Sequence, residues 1–313
     1  MSEVKKIATR ESYGRALTEL GREHEDIVVM DADLAGSTKS GMFQKEFPDR
    51  FFDVGIAEAN MTGIAAGLAA SGKVPFISSF AMFATGRAYE QIRNSVAYPH
   101  LNVKICASHA GISVGEDGAT HQCIEDISLM RSIPGMVVIN PADDVEARAA
   151  VKAIYDYQGP VYLRLGRLAV PCFNDEKTYR FEIGKGILVR EGTDVTLAAT
   201  GLCVDAAILA AKQLEADGIS AEILNIHTIK PLDTELIVNS AKKTGKVVTI
   251  EEHSVIGGLG SAVCEALSEV MPTPVKRIGV QDVFGESGPA AELLAKYRLD
   301  AQGIYEQVKE YLK

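Results

Sequence analysis

Between Ser108 and Gln122 the chain places His109, Glu116, Asp117 and His121 among Gly111, Gly115 and Gly118. Two imidazoles and two carboxylates on a glycine-punctuated loop can move protons or meet hydroxyl groups, and a rigid scaffold commonly presents its chemistry on such loops. The same loop contains Gly111-Ile-Ser113-Val-Gly115, a literal G-x-S-x-G. That pattern activates serine only on a sharp strand-to-helix turn. Here the preceding apolar run ends several residues earlier, so a serine hydrolase at Ser113 is the weaker reading.

A second group is Asp53-Val-Gly-Ile-Ala-Glu58, followed by Gly63, Gly67 and Ser71 at every fourth position. A strand ending at Val54, a turn at Gly55 and a helix from about Ala57 put Glu58 in a first helical turn. By position alone, that carboxylate complements the helix dipole. The small residues behind it predict a close helix–helix contact, within the chain or across a subunit boundary, which would take Glu58 out of water. A third group is Ser79-Phe80-Ala-Met-Phe83-Ala-Thr-Gly-Arg87, whose two rings either stack on a flat ligand or form a core pair. Gly257-Gly258-Leu-Gly260-Ser-Ala-Val263 misses the dinucleotide fingerprint at its last position and reads as a tight turn opening a helix.

The elements that carry these groups alternate. Apolar runs at Ile27–Met30, Phe51–Val54, Val74–Ser78, Val103–Ala107, Met136–Ile139 and Val161–Arg164 read as buried strands. Helical patterns lie between them. Tyr13, Ala16, Leu17 and Leu20 form one face, and Asp143–Gln158 opens on two aspartates. Pro171–Arg180 is polar and turn-rich, and Phe181–Arg190 reads as short extended pieces. A second series then has strands at Val195–Ala199, Ala221–Ile226, Val247–Ile250 and Val275–Gly279. Helices at Asp205–Ala216, Asp233–Lys243 and Ser261–Met271 separate them. The expected fold is α/β: two doubly wound domains with mainly parallel sheets, 1–170 and 191–313, joined by a linker at 171–190. Ligands of such sheets bind beyond the carboxyl ends of the strands.

With 313 residues, 47% of them apolar and 24% charged, the chain can fill two cores and is not a disordered or disulfide-built scaffold. No apolar run approaches the ~18 residues of a membrane span, and Met1–Gly14 has neither the apolar core nor the cleavage pattern of an export signal. Five scattered cysteines without a CxxC fit reduced thiols and a cytoplasmic location. A net charge of −10 argues against nucleic acid as a partner. An anionic substrate would need a local basic pocket set against that field.

Taken in order, Asp31-Ala-Asp33-Leu-Ala-Gly-Ser37, Val54-Gly-Ile-Ala-Glu58, Ser79-Phe80-Ala-Met-Phe83, Gly115-Glu-Asp-Gly-Ala-Thr-His121-Gln and Ile229-Lys-Pro-Leu-Asp233 resemble the C-terminal half of transketolase over essentially the whole chain. The resemblance implies a pyrimidine-binding thiamine diphosphate fold followed by a transketolase C-terminal domain. It implies transfer of a two-carbon ketol unit from a ketose phosphate to an aldose phosphate. The family grips its cofactor's diphosphate and Mg²⁺ through Gly-Asp-Gly and a later Asn on an N-terminal domain, and no Gly-Asp-Gly occurs here. The chain therefore resembles the C-terminal subunit of a split transketolase. Its Mg²⁺ ligands are expected on the N-terminal partner subunit and none on this chain, and the expected assembly is α2β2.

Residue by residue, the resemblance makes Glu58 the group at N1′ of the aminopyrimidine and places Phe80, Phe83 and Asp33 near the cofactor. His109, Asp117 and His121 would meet the sugar's hydroxyls or phosphate, with both histidines in catalytic positions. Arg10, Ser37 and Arg167 would take the phosphate end, for which the planar guanidinium is suited. Arg164 is an alternative phosphate ligand, and Gly86 stands as an insertion in the aromatic segment. Deoxyxylulose-phosphate synthase and the β subunits of 2-oxoacid dehydrogenases share the glutamate and aromatics. The Glu-Asp-Gly-x-Thr-His loop and the paired arginines favour transketolase. A non-catalytic partner-binding subunit is disfavoured by the retained Glu58.

Overall fold

The computed structural model describes residues 5–313. Its strands are β1 (Lys6–Ala8), β2 (Ile27–Asp31), β3 (Phe51–Asp53), β4 (Val74–Phe80), β5 (Lys104–Ser108), β6 (Val137–Ile139), β7 (Val161–Arg164), β8 (Ala169–Pro171), β9 (Ile187–Arg190), β10 (Val195–Ala199), β11 (Ala221–Asn225), β12 (Thr228–Lys230), β13 (Val247–Ser254) and β14 (Val275–Val280). The seven-stranded sheet runs β12-β6-β7-β5-β4-β2-β3 and the five-stranded sheet runs β14-β13-β10-β11-β9. Within these two sheets every pairing is parallel except at one edge of each, where β12 meets β6 and β9 meets β11 antiparallel.

The parallel strands are apolar along their length because helices cover both faces. All of β2, β4, β5 and β7 is buried. Helix Thr9–Glu23 packs Tyr13, Ala16, Leu17 and Leu20 into the core on one face of the first sheet, with Phe76 and Leu163 among its neighbours. On the other face, helix Glu58–Ala70 contributes Met61, Ala65 and Ala66 to a core with Ile77 and Ile105. Asp143 caps helix Asp144–Asp156 by accepting from the N–H of Glu146.

Three features differ from the sequence reading. The first sheet takes its edge strand, β12, from beyond the linker, and Lys6–Ala8 pairs with Ala169–Pro171 as a small antiparallel ribbon. β13 continues four residues past Ile250, through Glu251, Glu252 and His253, all buried. Within 181–190 only Ile187–Arg190 is a strand.

Candidate functional site

The candidate residues lie past the carboxyl ends of β2, β3, β4, β5 and β7, as the doubly wound topology demands. At the end of β2, buried Asp31 accepts from the N–H of Leu34 at 2.6 Å and from the hydroxyls of Thr38 and Ser40, each at 2.7 Å. Burial pushes its carboxyl up to about 6. These bonds fix the loop that carries Asp33 and Ser37. Asp53 Oδ1 accepts from the N–H groups of Asp33 at 3.1 Å and Gly55 at 2.9 Å, tying that loop to the turn before Glu58. Gly55 sits at φ +69°, where a side chain would be strained.

Glu58 opens helix Glu58–Ala70 and is 1% exposed. Its burial comes from its own chain. The Gly63/Gly67/Ser71 stripe is exposed, and a Cβ built on Gly63 or Gly67 meets nothing within 4 Å. Arg87 Nη1 donates to Oε2 of Glu58 at 2.9 Å, and the Ser79 hydroxyl lies 3.4 Å from Oε1. The Arg87 guanidinium also lies over the Phe83 ring, 4.8 Å from its centroid. Phe83 stacks with Phe80 at 5.9 Å, and Phe80 stacks on the His109 imidazole at 3.8 Å. His121 meets Phe83 edge-on at 5.2 Å. The four rings make a continuous wall. Met82–Arg87 forms a π-helical turn, which holds more residues per turn than a regular α-helix.

At the far end of this wall, His109 is 3% exposed at φ +57°. Its Nδ1 lies 2.8 Å from the Ser108 hydroxyl and its Nε2 lies 3.3 Å from Arg10 Nη1, which also donates to the Ser37 carbonyl at 2.8 Å. Burial, then the charges of Arg10 and Arg167, then His121 and Lys39, push the imidazole down to about 3. In a chain of net charge −10, this is a local concentration of positive charge. Arg10 also keeps a buried Nε without a partner. Arg167 donates to Glu116 at 3.0 Å and to the Val114 carbonyl, with its side chain 38% exposed.

The structure thus gathers Glu58, Phe83, Phe80, His121, His109, Arg10 and Ser37 in one run of contacts, Glu58 joined to Phe83 through Arg87, with Arg167 close enough to act on His109. Asp33 sits beside Asp53, and Asp117 is exposed on its loop. Neither joins the hydrogen bonds of the cluster among the described residues. Arg164 is not available as a phosphate ligand. It is buried and spent on Asp126, at 2.7 Å and 3.2 Å, and on the Glu252 carbonyl at 2.9 Å. Ser113 sits in the short 3₁₀ turn Ile112–Val114, and its buried hydroxyl has no hydrogen-bond partner. The turn follows β5 by several residues and leads into more loop rather than a helix, so this is no nucleophile elbow. Sequence reasoning gave no role to Arg87 or Ser79. Arg87 follows Phe83 by four residues, which was the available signal.

Family models for the transketolase pyrimidine-binding domain and the transketolase C-terminal domain match residues 5–171 and 184–304. The chain belongs to the transketolase family. It is 48% identical over 304 residues to the 6-deoxy-6-sulfo-D-fructose transketolase subunit SqwH of Clostridium sp. strain MSTE9, covering 96% of this chain and 93% of that one. It is 42% identical over 307 residues to a subunit of the apulose-4-phosphate transketolase of Phocaeicola vulgatus, covering 98% of each. A solved structure described as a split gene transketolase, inactive beta4 tetramer, superposes with a TM-score of 0.89 at 54% identity, covering 98% of this chain and 99% of that one. The chain is accordingly a subunit of a thiamine-diphosphate-dependent transketolase, a transferase of ketol units, and not a hydrolase at Ser113.

Its residues fit the aminopyrimidine end of that cofactor. Glu58 presents a buried carboxylate whose outer cover is a single half-exposed side chain, and the half-buried Phe83 ring stands beside it. Among the described residues no three His, Cys, Asp or Glu side chains cluster as a metal site, and no helix is long and apolar enough to cross a membrane.

Proposed function

We propose that this chain forms the pyrimidine side of a two-polypeptide transketolase and transfers a two-carbon unit between sugar phosphates. An N-terminal partner subunit would hold the diphosphate and Mg²⁺, in an α2β2 assembly. Bound thiamine diphosphate supplies the electron sink for breaking and making the carbon–carbon bond beside a carbonyl. Glu58 holds the aminopyrimidine and handles the proton at N1′. Phe80 and Phe83 pack along the ring, with Asp33 nearby. His109, Asp117 and His121 orient the sugar. Arg10, Ser37 and Arg167 take its anionic end. The five free cysteines, three of them buried, support a cytoplasmic setting. The working units are 1–170 and 191–313, with 171–190 as linker.

The observation that carries this reading is the run of contacts from the Glu58 carboxylate through Arg87 to Phe83, Phe80, His109 and Arg10. It sets a proton-handling group at one end of an aromatic wall and positive charge at the other. The relatives' names support an anionic sugar, one sulfonated and one phosphorylated. The inactive state named for the solved homotetramer supports dependence on a partner.

The test mixes purified chain, thiamine diphosphate and Mg²⁺ with and without the N-terminal subunit. Ketol transfer should appear only in the mixture. Glu58→Ala should remove it and slow exchange of the cofactor's C2 proton by about 10²–10⁴-fold, the usual contribution of a proton-transfer group. Full activity of the chain alone would defeat the proposal.

A further inference from the structure

We propose that Arg87 is a displaceable cover over the pyrimidine seat, a side chain that must leave both Glu58 and Phe83 before a cofactor ring can meet either. The inference rests on the reading of Glu58 and Phe83 given above, and it concerns how that seat is held ready and opened.

Among the described residues the Glu58 carboxylate has two donors. The Ser79 hydroxyl comes from β4 at a long 3.4 Å, and Arg87 closes the outer side at 2.9 Å. The two members of the ion pair differ sharply in exposure: Glu58 is 1% exposed at its side chain and Arg87 is 51% exposed. The same guanidinium lies 4.8 Å over the Phe83 ring. One flexible cation therefore covers both a buried carboxylate and an aromatic face.

An aminopyrimidine would ask for the same two partners, a carboxylate for a ring nitrogen and an apolar face for the ring. Arg87 and the cofactor compete for one seat. The groups beneath are fixed, Glu58 by the helix it opens and Phe83 by the π-helical turn. The cover is a long, half-exposed side chain, so displacing it costs little when a cofactor ring nitrogen takes over the carboxylate as it leaves. Its presence also keeps a buried carboxylate paired, which matters because an unpaired buried charge is expensive. The π-helical turn brings Arg87 back over Phe83. A regular helical continuation, one residue shorter, would point it elsewhere by about 100°.

The experiment uses the assembled complex with the N-terminal subunit and follows thiamine diphosphate binding by stopped-flow circular dichroism in Mg²⁺. Arg87→Ala should raise the association rate about fivefold at low salt, the scale of a partly exposed ion pair. The ratio between variant and wild type should shrink as salt screens the pair in the wild type. Arg87→Lys should restore a slower, salt-sensitive rate. A merely structural arginine would move stability without this salt signature. Arg87→Gln, which keeps a polar side chain of intermediate length and loses the charge, stands in if Arg87→Ala does not assemble. Equal rates at low salt, or weaker binding in Arg87→Ala, would overturn the cover. A wild-type complex that binds no thiamine diphosphate would bring down the functional reading and the cover with it. Normal binding with indifferent Arg87 variants would bring down the cover alone.

Discussion

Arg10 Nη1 sits 3.3 Å from Nε2 of His109, and because a guanidinium only donates, that imidazole nitrogen is the acceptor. The proton of the neutral ring therefore rests on Nδ1, where it donates to the Ser108 hydroxyl at 2.8 Å. With burial and neighbouring positive charge pushing the ring down to about 3, His109 is neutral throughout the working range. It can accept from a sugar hydroxyl only when Arg10 yields its place.

A first prediction follows for pH. His109 should show no protonation in an NMR titration from pH 8 to pH 5, and no acid limb of activity in that window should vanish in His109→Gln. A His109 resonance titrating above pH 5 would contradict the buried Arg10 contact.

Arg164 and Arg167, three residues apart, should fail in opposite ways. Arg164→Ala strands Asp126, fully buried and also bonded to Tyr162 at 2.6 Å. Breaking a buried pair from one side costs about 3–5 kcal/mol, and urea denaturation should show it. Arg167→Ala should move the denaturation midpoint far less, because its pairing with Glu116 lies at the surface and only its bond to the Val114 carbonyl is lost from the interior. It should instead raise KM for phosphorylated sugars by about five- to tenfold, toward the lower end for a charge-assisted bond given its exposure, with little change for a non-phosphorylated acceptor. Equal losses on both substrates would make Arg167 a scaffold residue.

These same positions show how far local sequence reaches. The parallel strands were legible because both faces are covered, so Ile27–Met30 and Val161–Leu163 read as unbroken apolar runs. The three-residue strands β1, β8 and β12 have no such run and exist through partners far along the chain. The end of β13 was missed because Glu251-Glu252-His253 looks like a loop. Each is buried only because distant backbone donors satisfy it: Leu259 and Gly260 for Glu251, Ser113 for Glu252, Ser128 for His253. Arg164 looked free for phosphate because its partner, Asp126, lies 38 positions away. Local sequence shows which groups can do chemistry, and long-range satisfaction decides which of them are left over to do it.

Stability should depend on pH with opposing terms. Burial pushes the Glu146 carboxyl up to about 7, held among the Ala142 N–H, the Asn225 amide and the Tyr179 hydroxyl. A raised carboxyl means the folded chain binds the extra proton. Its stabilisation is complete below the unfolded value of ~4.3 and is lost as pH rises through about 7, at roughly 1.4 kcal/mol per unit. Burial pushes His227 and His253 down to about 4. Their stabilisation is complete above ~6.5 and is lost as pH falls through about 4. Burial pushes Glu251 and Glu252 up to about 7 as well, and His109 down to about 3. Between pH 5 and pH 6.5 three raised carboxyls therefore oppose three lowered imidazoles, and denaturation midpoints should change little. Above pH 6.5 the imidazole contributions are complete while the carboxyls still lose theirs, so midpoints should decline to pH 7.5. Glu146→Gln should make that decline shallower. A wild-type midpoint that climbs across pH 6.5–7.5 would show that these buried carboxyls ionise normally.

The exposed stripe on helix Glu58–Ala70 separates folding from assembly. A Cβ at Gly67 meets nothing within 4 Å of its own chain, so Gly67→Leu has no steric cost to the single chain. Replacing a mid-helix glycine by leucine should even stabilise that chain, by about 0.5–1 kcal/mol. Only a surface that approaches the helix backbone closely would find the new side chain in the way. If the Gly63/Gly67/Ser71 stripe meets another subunit, as its small residues suggest, Gly67→Leu should denature at or above the wild-type midpoint and yet fail to assemble with the N-terminal subunit. Gly67→Ala, smaller by three heavy atoms, should assemble with reduced affinity. The readouts are a urea denaturation curve on the chain alone and sedimentation velocity on the mixture. Wild-type sedimentation of the Gly67→Leu mixture would place the subunit contact elsewhere on the chain.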